Sequence, residues 1–306
     1  MEYGIKERLL ISYQELSNPT LCDQTIIDNL SKSVLELYNI PETLFSLFSL
    51  FEEKLDSKIL ISICIGIKHM LSDEERWNYY QEHGEEERIK NFFLYFLKEI
   101  KNDLIFDNLL ASLKIILKTS ESNWEEYFNL LKKFSENGNE IEFNYSLKMS
   151  ELFIYYSSNQ ILSNFWNFFC DLVNKSFQIS NCSIILSSFK VLKELFGYSN
   201  DFNEHLYDLF LKFNELFLHL IQENNNNNNN YIFNNFIDTY NSIFNSEFEF
   251  TNIENILNEF LNLVNNSNFD IDLRCSLFEP INYILANNYK DKYLKGIIDI
   301  IFQVGK

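Results

Sequence analysis

The side chains that could carry acid–base, nucleophilic or metal chemistry are scattered along this chain of 306 residues. The four histidines are His69, His83, His205 and His219. His205 and His219 fall in one predicted helix about four turns apart, too far to share a metal ion. The chain has no HExxH zinc pattern, no Gly-rich phosphate or dinucleotide loop, and no GxSxG nucleophile elbow. We therefore expect no enzyme activity, no metal and no cofactor.

Runs of adjacent acids and the cysteines lead to the same interpretation. Glu52–Glu53, Asp73–Glu75 and Glu85–Glu87 are consecutive on predicted helices, so their side chains fan out into solvent instead of forming an acid/base pair. The five cysteines contain no CxxC, and Cys64 and Cys170 lie in apolar runs. Free, buried thiols in a reducing compartment are the expected state.

One stripe of small and polar residues interrupts an otherwise apolar predicted helix, SKILISICIGIKHML. Ser62, Gly66 and His69 lie at positions i, i+4 and i+7, and therefore on one side of the helix. The stripe could face a ligand, or it could let a neighbouring helix approach closely. The sequence does not choose between these two interpretations.

The three tryptophans are the other candidates for binding a partner. They are Trp77, Trp124 and Trp166. Burial between helices is the expected role of each ring. An exposed ring that anchors a partner is the alternative.

Predicted helix pairs recur along the chain at a nearly constant interval. The first helices of the pairs are predicted to begin near Ile5, Pro41, Glu85, Asn123, Gln160, Asp201, Glu249 and Lys290. The interval is about 40 residues, which is typical of HEAT or armadillo repeats. The sequence therefore predicts an all-α fold, a right-handed superhelical solenoid of HEAT/armadillo-type helical hairpins with about seven and a half repeats.

The predicted domain is a single solenoid over residues 1–306. Its approximate repeats are 5–38, 41–72, 85–119, 123–158, 160–197, 201–245, 249–288 and a partial 290–306. Residues 72–87 are expected to form a polar acidic insert. The asparagine run at 224–230 is expected to be a disordered loop between two helices. Pro280 falls inside a predicted helix and should kink it.

The last predicted helix, Lys290–Val304, contains the apolar stretch GIIDIIFQV. A solenoid normally ends on a polar capping repeat. We therefore expect this chain to be the front portion of a longer solenoid, or to end against a partner.

Composition and charge limit the functional classes. Seven glycines and three prolines are too few for the many tight turns of a β-sandwich or barrel. The net charge of −19 disfavours direct binding to nucleic acid or to acidic lipid and favours a basic partner; alternatively, the acids only keep a Phe-rich protein soluble. We expect no signal peptide and no membrane insertion, and hence a protein of the cytoplasm and nucleus.

Several segments together suggest a family. ISICIGIKHMLSDEERW followed by RIKNFFLYFLKEI resembles the amino-terminal region of importin-β-type nuclear transport receptors. KERLLISYQELSNPTLCDQT resembles the opening helix and turn of that family, and SNWEEYFNLLKKFSEN resembles the helix that opens a middle repeat. NILNEFLNLVNNSNFDIDLRCSLFEPINYILANN resembles a further repeat, and the order of the segments matches over essentially the whole chain. Within the family, the chain is most similar to the large importins that carry ribosomal proteins and histones.

The resemblance implies a HEAT-repeat receptor, or its amino-terminal part, that carries basic cargo for nuclear import. Cargo would be released when the GTP-bound form of the small GTPase Ran binds the first repeats, and nucleoporins are candidate partners as well. Lys58, Ser62 and Lys68, on an early second helix, are the candidate contacts to Ran. The alternatives are a HEAT-repeat scaffold for a multiprotein complex, an exportin-type receptor, and an enzyme with an irregular helical fold.

Overall fold

The computed structural model describes residues 4–18, 23–72, 74–203, 205–223, 230–250, 253–266 and 271–288. These residues form helices joined by turns and loops, and no strand occurs among them. The chain divides into two compact units, Met1–Leu130 and Leu131–Lys306. The all-α prediction is confirmed for the described residues. A single continuous solenoid over 1–306 stays a prediction.

The first unit is built from short and medium helices. They are α1 Ile5–Leu16, α2 Gln24–Leu37, α3 Thr43–Phe51, α4 Ser57–Met70, α5 Glu74–Glu82, α6 Glu86–Glu99, α7 Asp103–Ala111 and α8 Lys114–Thr119. Helix α9, Glu125–Asn137, contains the boundary between the units. The predicted partial repeat at 290–306 and most of the asparagine run, 224–229, lie outside the described residues.

Longer helices build the second unit. They are α10 Glu140–Tyr156, α11 Asn159–Ser176, α12 Cys182–Gly197, α13 Leu206–Glu223, α14 Asn230–Phe244, α15 Ile253–Asn265, α16 Ile271–Ser276 and α17 Phe278–Asn288. The asparagine run does separate two helices, because α13 ends at Glu223 and α14 begins on the last asparagine, Asn230.

Several helices begin on a side-chain cap, which satisfies backbone N–H groups that have no partner inside the helix. Asp23 accepts a hydrogen bond from Thr25 N at 2.9 Å, and Asp56 accepts one from Lys58 N at 2.8 Å. The Asn139 side chain caps α10 by accepting from two backbone N–H groups. Cap residues and turn signals in the sequence therefore locate the starts of these helices well.

Two segments of the first unit gain detail from the structure. The insert predicted at 72–87 is largely a helix, α5, and buries Trp77 and Tyr80. The segment from Asp103 to Ser120 forms two helices, α7 and α8, which Ser112 and Leu113 separate.

The helix break expected at Pro280 is present, and it lies on the N-terminal side of the proline, where the ring would clash with the carbonyl of residue i−4. Helix α16 ends at Ser276 and α17 begins at Phe278, so Pro280 lies in the first turn of α17. A proline is tolerated there, because the N–H it lacks would have no partner in the helix.

Within each unit, helices pack against near neighbours in the chain. In the second unit, α10 packs on α12, α12 on α14 and α14 on α17, while α11 packs on α12 and α13. In the first unit, α1 packs on α2, α3 and α4, and α4 packs on α7. Each of these contacts joins helices that are at most three positions apart in the chain.

Side-chain hydrogen bonds between helices span separations close to the predicted interval of about 40 residues. The Ser187 hydroxyl donates to Asn144 Oδ1 at 2.7 Å across a separation of 43 residues. Other bonds span similar separations: Asn181 to Glu140 (41), Asn159 to Asp201 (42), Asn214 to Glu259 (45) and Lys6 to Ser49 (43). The interval predicted from the sequence thus reappears as physical ties between consecutive helix pairs.

Candidate functional site

In the part of the chain that the structure describes, the histidines, cysteines and acids are not gathered into a metal-binding cluster. Across the described ranges, no three or more His, Cys, Asp or Glu residues lie close enough together to hold a metal ion. None of the described helices combines the length and apolar character needed to cross a bilayer. The prediction that His205 and His219 share one helix is wrong. His205 lies just before α13, with φ of 68°, whereas His219 lies within α13.

The acid runs form separate surface ion pairs. Glu53 pairs with Lys6 at 2.8 Å, and Glu86 pairs with Lys90 at 2.6 Å. Pairs of this kind contribute about 0–1 kcal/mol each. The interpretation of these acids as solvated helix faces holds for Glu52–Glu53 and Glu85–Glu87, while Asp73 lies outside the described residues.

The cysteines divide into two groups. Cys64 and Cys170 are buried, as predicted, and burial raises the pKa of the Cys64 thiol to about 12. Cys182 and Cys275 are exposed, and Cys22 lies outside the described residues. Cys64 is fully buried, so it has the surroundings of a structural cysteine.

All three tryptophans are buried, so the packing interpretation is confirmed. Trp77, Trp124 and Trp166 expose 1%, 3% and 5% of their surface. Trp166 stacks on Phe202 with ring centroids 5.0 Å apart. None of the three rings is available as an exposed anchor.

The stripe on α4 contacts neighbouring helices at its centre. A Cβ atom on Gly66 would lie 2.7 Å from Tyr38 Oη and 2.8 Å from Tyr13 Oη. These two phenols hydrogen-bond to each other at 2.6 Å, and the His69 ring packs against Tyr38 with centroids 5.0 Å apart. Burial raises the pKa of both tyrosines. Of the two interpretations left open, Gly66 and His69 therefore serve close helix packing.

The three candidate Ran contacts lie on the outer side of the same helix. Lys58 and Lys68 are exposed, and Ser62 is half-buried with its hydroxyl donating to the Lys58 carbonyl at 3.1 Å. Ile65 lies between the lysines and is 54% exposed. The three predicted residues thus share one helix with an exposed isoleucine.

The second unit carries one perturbed acid that sequence reasoning missed. Glu194 on α12 is half-buried, and its pKa rises from 4.5 to about 7. Burial is the main cause, the charge of Glu151 on α10 adds to it, and Lys193 opposes it. Nothing in the sequence around Glu194 signals this shift, because it depends on α10 packing against α12.

An open groove lies where α11, the α11–α12 turn and α13 meet. Its volume is about 540 Å³, and its floor includes Phe177, Ile185 and Leu216. Lys212 on its rim donates to Asn174 at 2.6 Å. Its lining includes the ionisable residues Lys212, Glu215 and His219, all on α13.

Comparison with models of known protein families gave no match, and no curated protein is significantly similar to this chain.

Proposed function

We propose that this protein is a HEAT-repeat solenoid that acts as a nuclear transport receptor of the importin-β type. In this role it binds the GTP-bound form of Ran and a basic cargo, without enzymatic activity. It works in the cytoplasm and nucleus, with nucleoporins as further partners.

The observation that carries the proposal is the regular spacing of ties between helix pairs. Bonds within a pair span about 25 residues, as between Tyr13 and Tyr38 (25) or Asn214 and Tyr240 (26). Bonds between successive pairs span 38 to 47 residues. In a helical-repeat protein, each repeat contacts only its neighbouring repeats, and the stacked repeats present an extended binding surface.

Charge supports the choice of cargo. A net charge of −19 creates a negative potential that attracts a basic protein and speeds its association. Ran is expected to contact Lys58, Ser62 and Lys68, since the two lysines project from one exposed side of α4.

Capture of Ran on the immobilised chain tests the proposal. Ran loaded with a non-hydrolysable GTP analogue should be retained, while Ran loaded with GDP should not. Equal retention of both forms, or retention of neither, would reject the transport function.

The same spacing of helix pairs also supports a HEAT-repeat scaffold for a multiprotein complex. Affinity capture from lysate, with and without a hydrolysis-locked Ran, separates the two functions. A receptor loses its basic partners when Ran is added, whereas a scaffold keeps the same partners in both samples. An exportin-type receptor would instead gain partners with Ran.

A further inference from the structure

Four residues form an exposed stripe along α4, which we call the α4 face. They are Lys58, Ile61, Ile65 and Lys68. Spacings of three, four and three residues place them on one side of the helix. The lysines are exposed, Ile65 is 54% exposed and Ile61 is half-buried.

The α4 face lies opposite the buried side of α4, and only Ile61 of its four residues is half-buried. The helix buries its opposite side, which includes Ile59, Ile63, Cys64, Ile67 and Met70. An exposed isoleucine by itself is common on protein surfaces. Here the isoleucine pair is flanked by two like charges at helical spacing, and α7, which packs against α4, exposes Leu104 as well (56%).

The charge of α4 is opposite to that of the chain. The chain has 44 acids against 25 basic residues, yet α4 holds two lysines and no acid. In the described part of the first unit, neither Lys58 nor Lys68 has an ion-pair partner. Among the described residues of this unit, the two lysines of the α4 face therefore keep their charge available for a partner.

We infer that the α4 face docks an acidic amphipathic helix of a partner protein. Two apolar side chains of the partner, three or four residues apart, would contact Ile61 and Ile65. Carboxylates on either side of that apolar pair would approach Lys58 and Lys68. The two lysines are about 15 Å apart along the helix axis, so the docked helix has about three turns.

A nucleic acid fits this surface less well than a protein. A phosphate backbone would meet the lysines but would leave the isoleucines without an apolar partner. The combination of apolar and basic groups favours an acidic helix, as in helix recognition by amphipathic surfaces.

The inference rests on the proposed role of the chain in binding proteins, but the helix need not belong to Ran. Its test therefore uses no Ran. If Ran capture fails and the peptide test succeeds, the transport function is lost while the docking surface stands. If Ran capture succeeds and the peptide test fails, the transport function stands and only the docking surface is rejected.

The test is a selection on the full chain from a displayed library of helical peptides of about 12 residues. Each peptide carries two leucines four residues apart, and the flanking positions vary among Glu, Gln and Lys. Glu-rich sequences should be enriched. Their affinity should fall as salt rises from about 0.1 M to about 1 M, because the Debye length shrinks from about 10 Å to about 3 Å.

Variants locate the bound peptide. Lys58→Glu/Lys68→Glu should weaken the selected peptide at least about tenfold, and Ile65→Ala should do the same by removing the apolar contact. Lys98→Glu/Lys133→Glu is the matched control, since both lysines are exposed on other helices, and it should bind as the unaltered chain does. Far-UV circular dichroism checks that all variants are folded.

Four outcomes would overturn the inference. They are enrichment of Lys-rich or neutral peptides, no enrichment at all, unchanged binding to Lys58→Glu/Lys68→Glu, and displacement of the peptide by a single-stranded RNA of equal charge.

Discussion

At the scale of single residues, the described side chains act mainly through packing. Gly66 leaves room for the phenols of Tyr13 and Tyr38, and Gly138 leaves room for a backbone carbonyl. Burial and the neighbouring charge of Glu151 raise the pKa of Glu194 to about 7. Two of these positions give direct tests of the structure.

Gly138 should not tolerate a side chain. A Cβ atom there would lie 2.4 Å from the Phe134 carbonyl oxygen and 2.6 Å from Glu142 Cβ, and neither atom can swing away. Gly138→Ala should therefore lower the free energy of unfolding by about 1–3 kcal/mol, measured by urea denaturation. Gly197→Ala is the control, because a Cβ atom there meets nothing within 4 Å. Equal effects at the two glycines would contradict the packing around Gly138.

Glu194 should make stability depend on pH. Below about pH 4.5 both folded and unfolded states hold the proton, so the group has no effect. Between pH 4.5 and about 7 only the folded state keeps it, and stability falls as pH rises because the folded state binds more protons. Above this range the full penalty of a half-buried charge remains.

Glu194→Gln should therefore gain stability relative to the unaltered chain between about pH 5 and about pH 8. Urea midpoints at the two pH values measure the gain. Glu126→Gln, at an exposed position on α9, is the control and should show no such gain. A difference between Glu194→Gln and the unaltered chain that does not change with pH would count against the burial of this carboxyl.

At the scale of elements, the caps decide where helices begin. Asn139 Oδ1 accepts from Ile141 N at 3.0 Å and from Glu142 N at 3.1 Å. Ser158 occupies the same position at the start of α11, but its side chain makes no capping bond. The two helices follow each other in the chain and provide a matched pair.

Asn139→Ala should lower the free energy of unfolding by about 1 kcal/mol, because two N–H groups lose their acceptor. Ser158→Ala should have a much smaller effect. Thermal or urea unfolding of both variants gives the comparison. A larger loss for Ser158→Ala than for Asn139→Ala would contradict the cap assignment.

Element positions could be predicted from the sequence because their signals are local. The cap at Asp56 and the glycine after α9 are visible in a few neighbouring residues. Helix α5 was missed because its polar composition hides a buried side formed by Trp77 and Tyr80. That burial depends on contacts with distant residues, as in the bond from the Tyr80 hydroxyl to the Pro41 carbonyl.

At the scale of the whole molecule, the interval of about 40 residues was the most informative pattern in the sequence. The hydrogen bond between Asn144 and Ser187 spans 43 residues, which is close to this interval. The net charge of −19 predicts a basic partner for the chain as a whole. Only the structure shows that α4 differs, because it carries two exposed lysines and no acid. A composition cannot tell which lysines remain unpaired, because pairing depends on helices that are distant in sequence.

The short range of these ties has a consequence for how the protein forms. A hydrogen bond such as that between Asn181 and Glu140 needs only one further helix pair to be synthesised before it can close. Contact order is therefore low, which favours fast folding, and within each unit the newest part of a nascent chain can add to what has already folded. Gene duplication or loss of one whole pair would leave the remaining ties intact, so the length of such a chain can change by whole pairs during evolution.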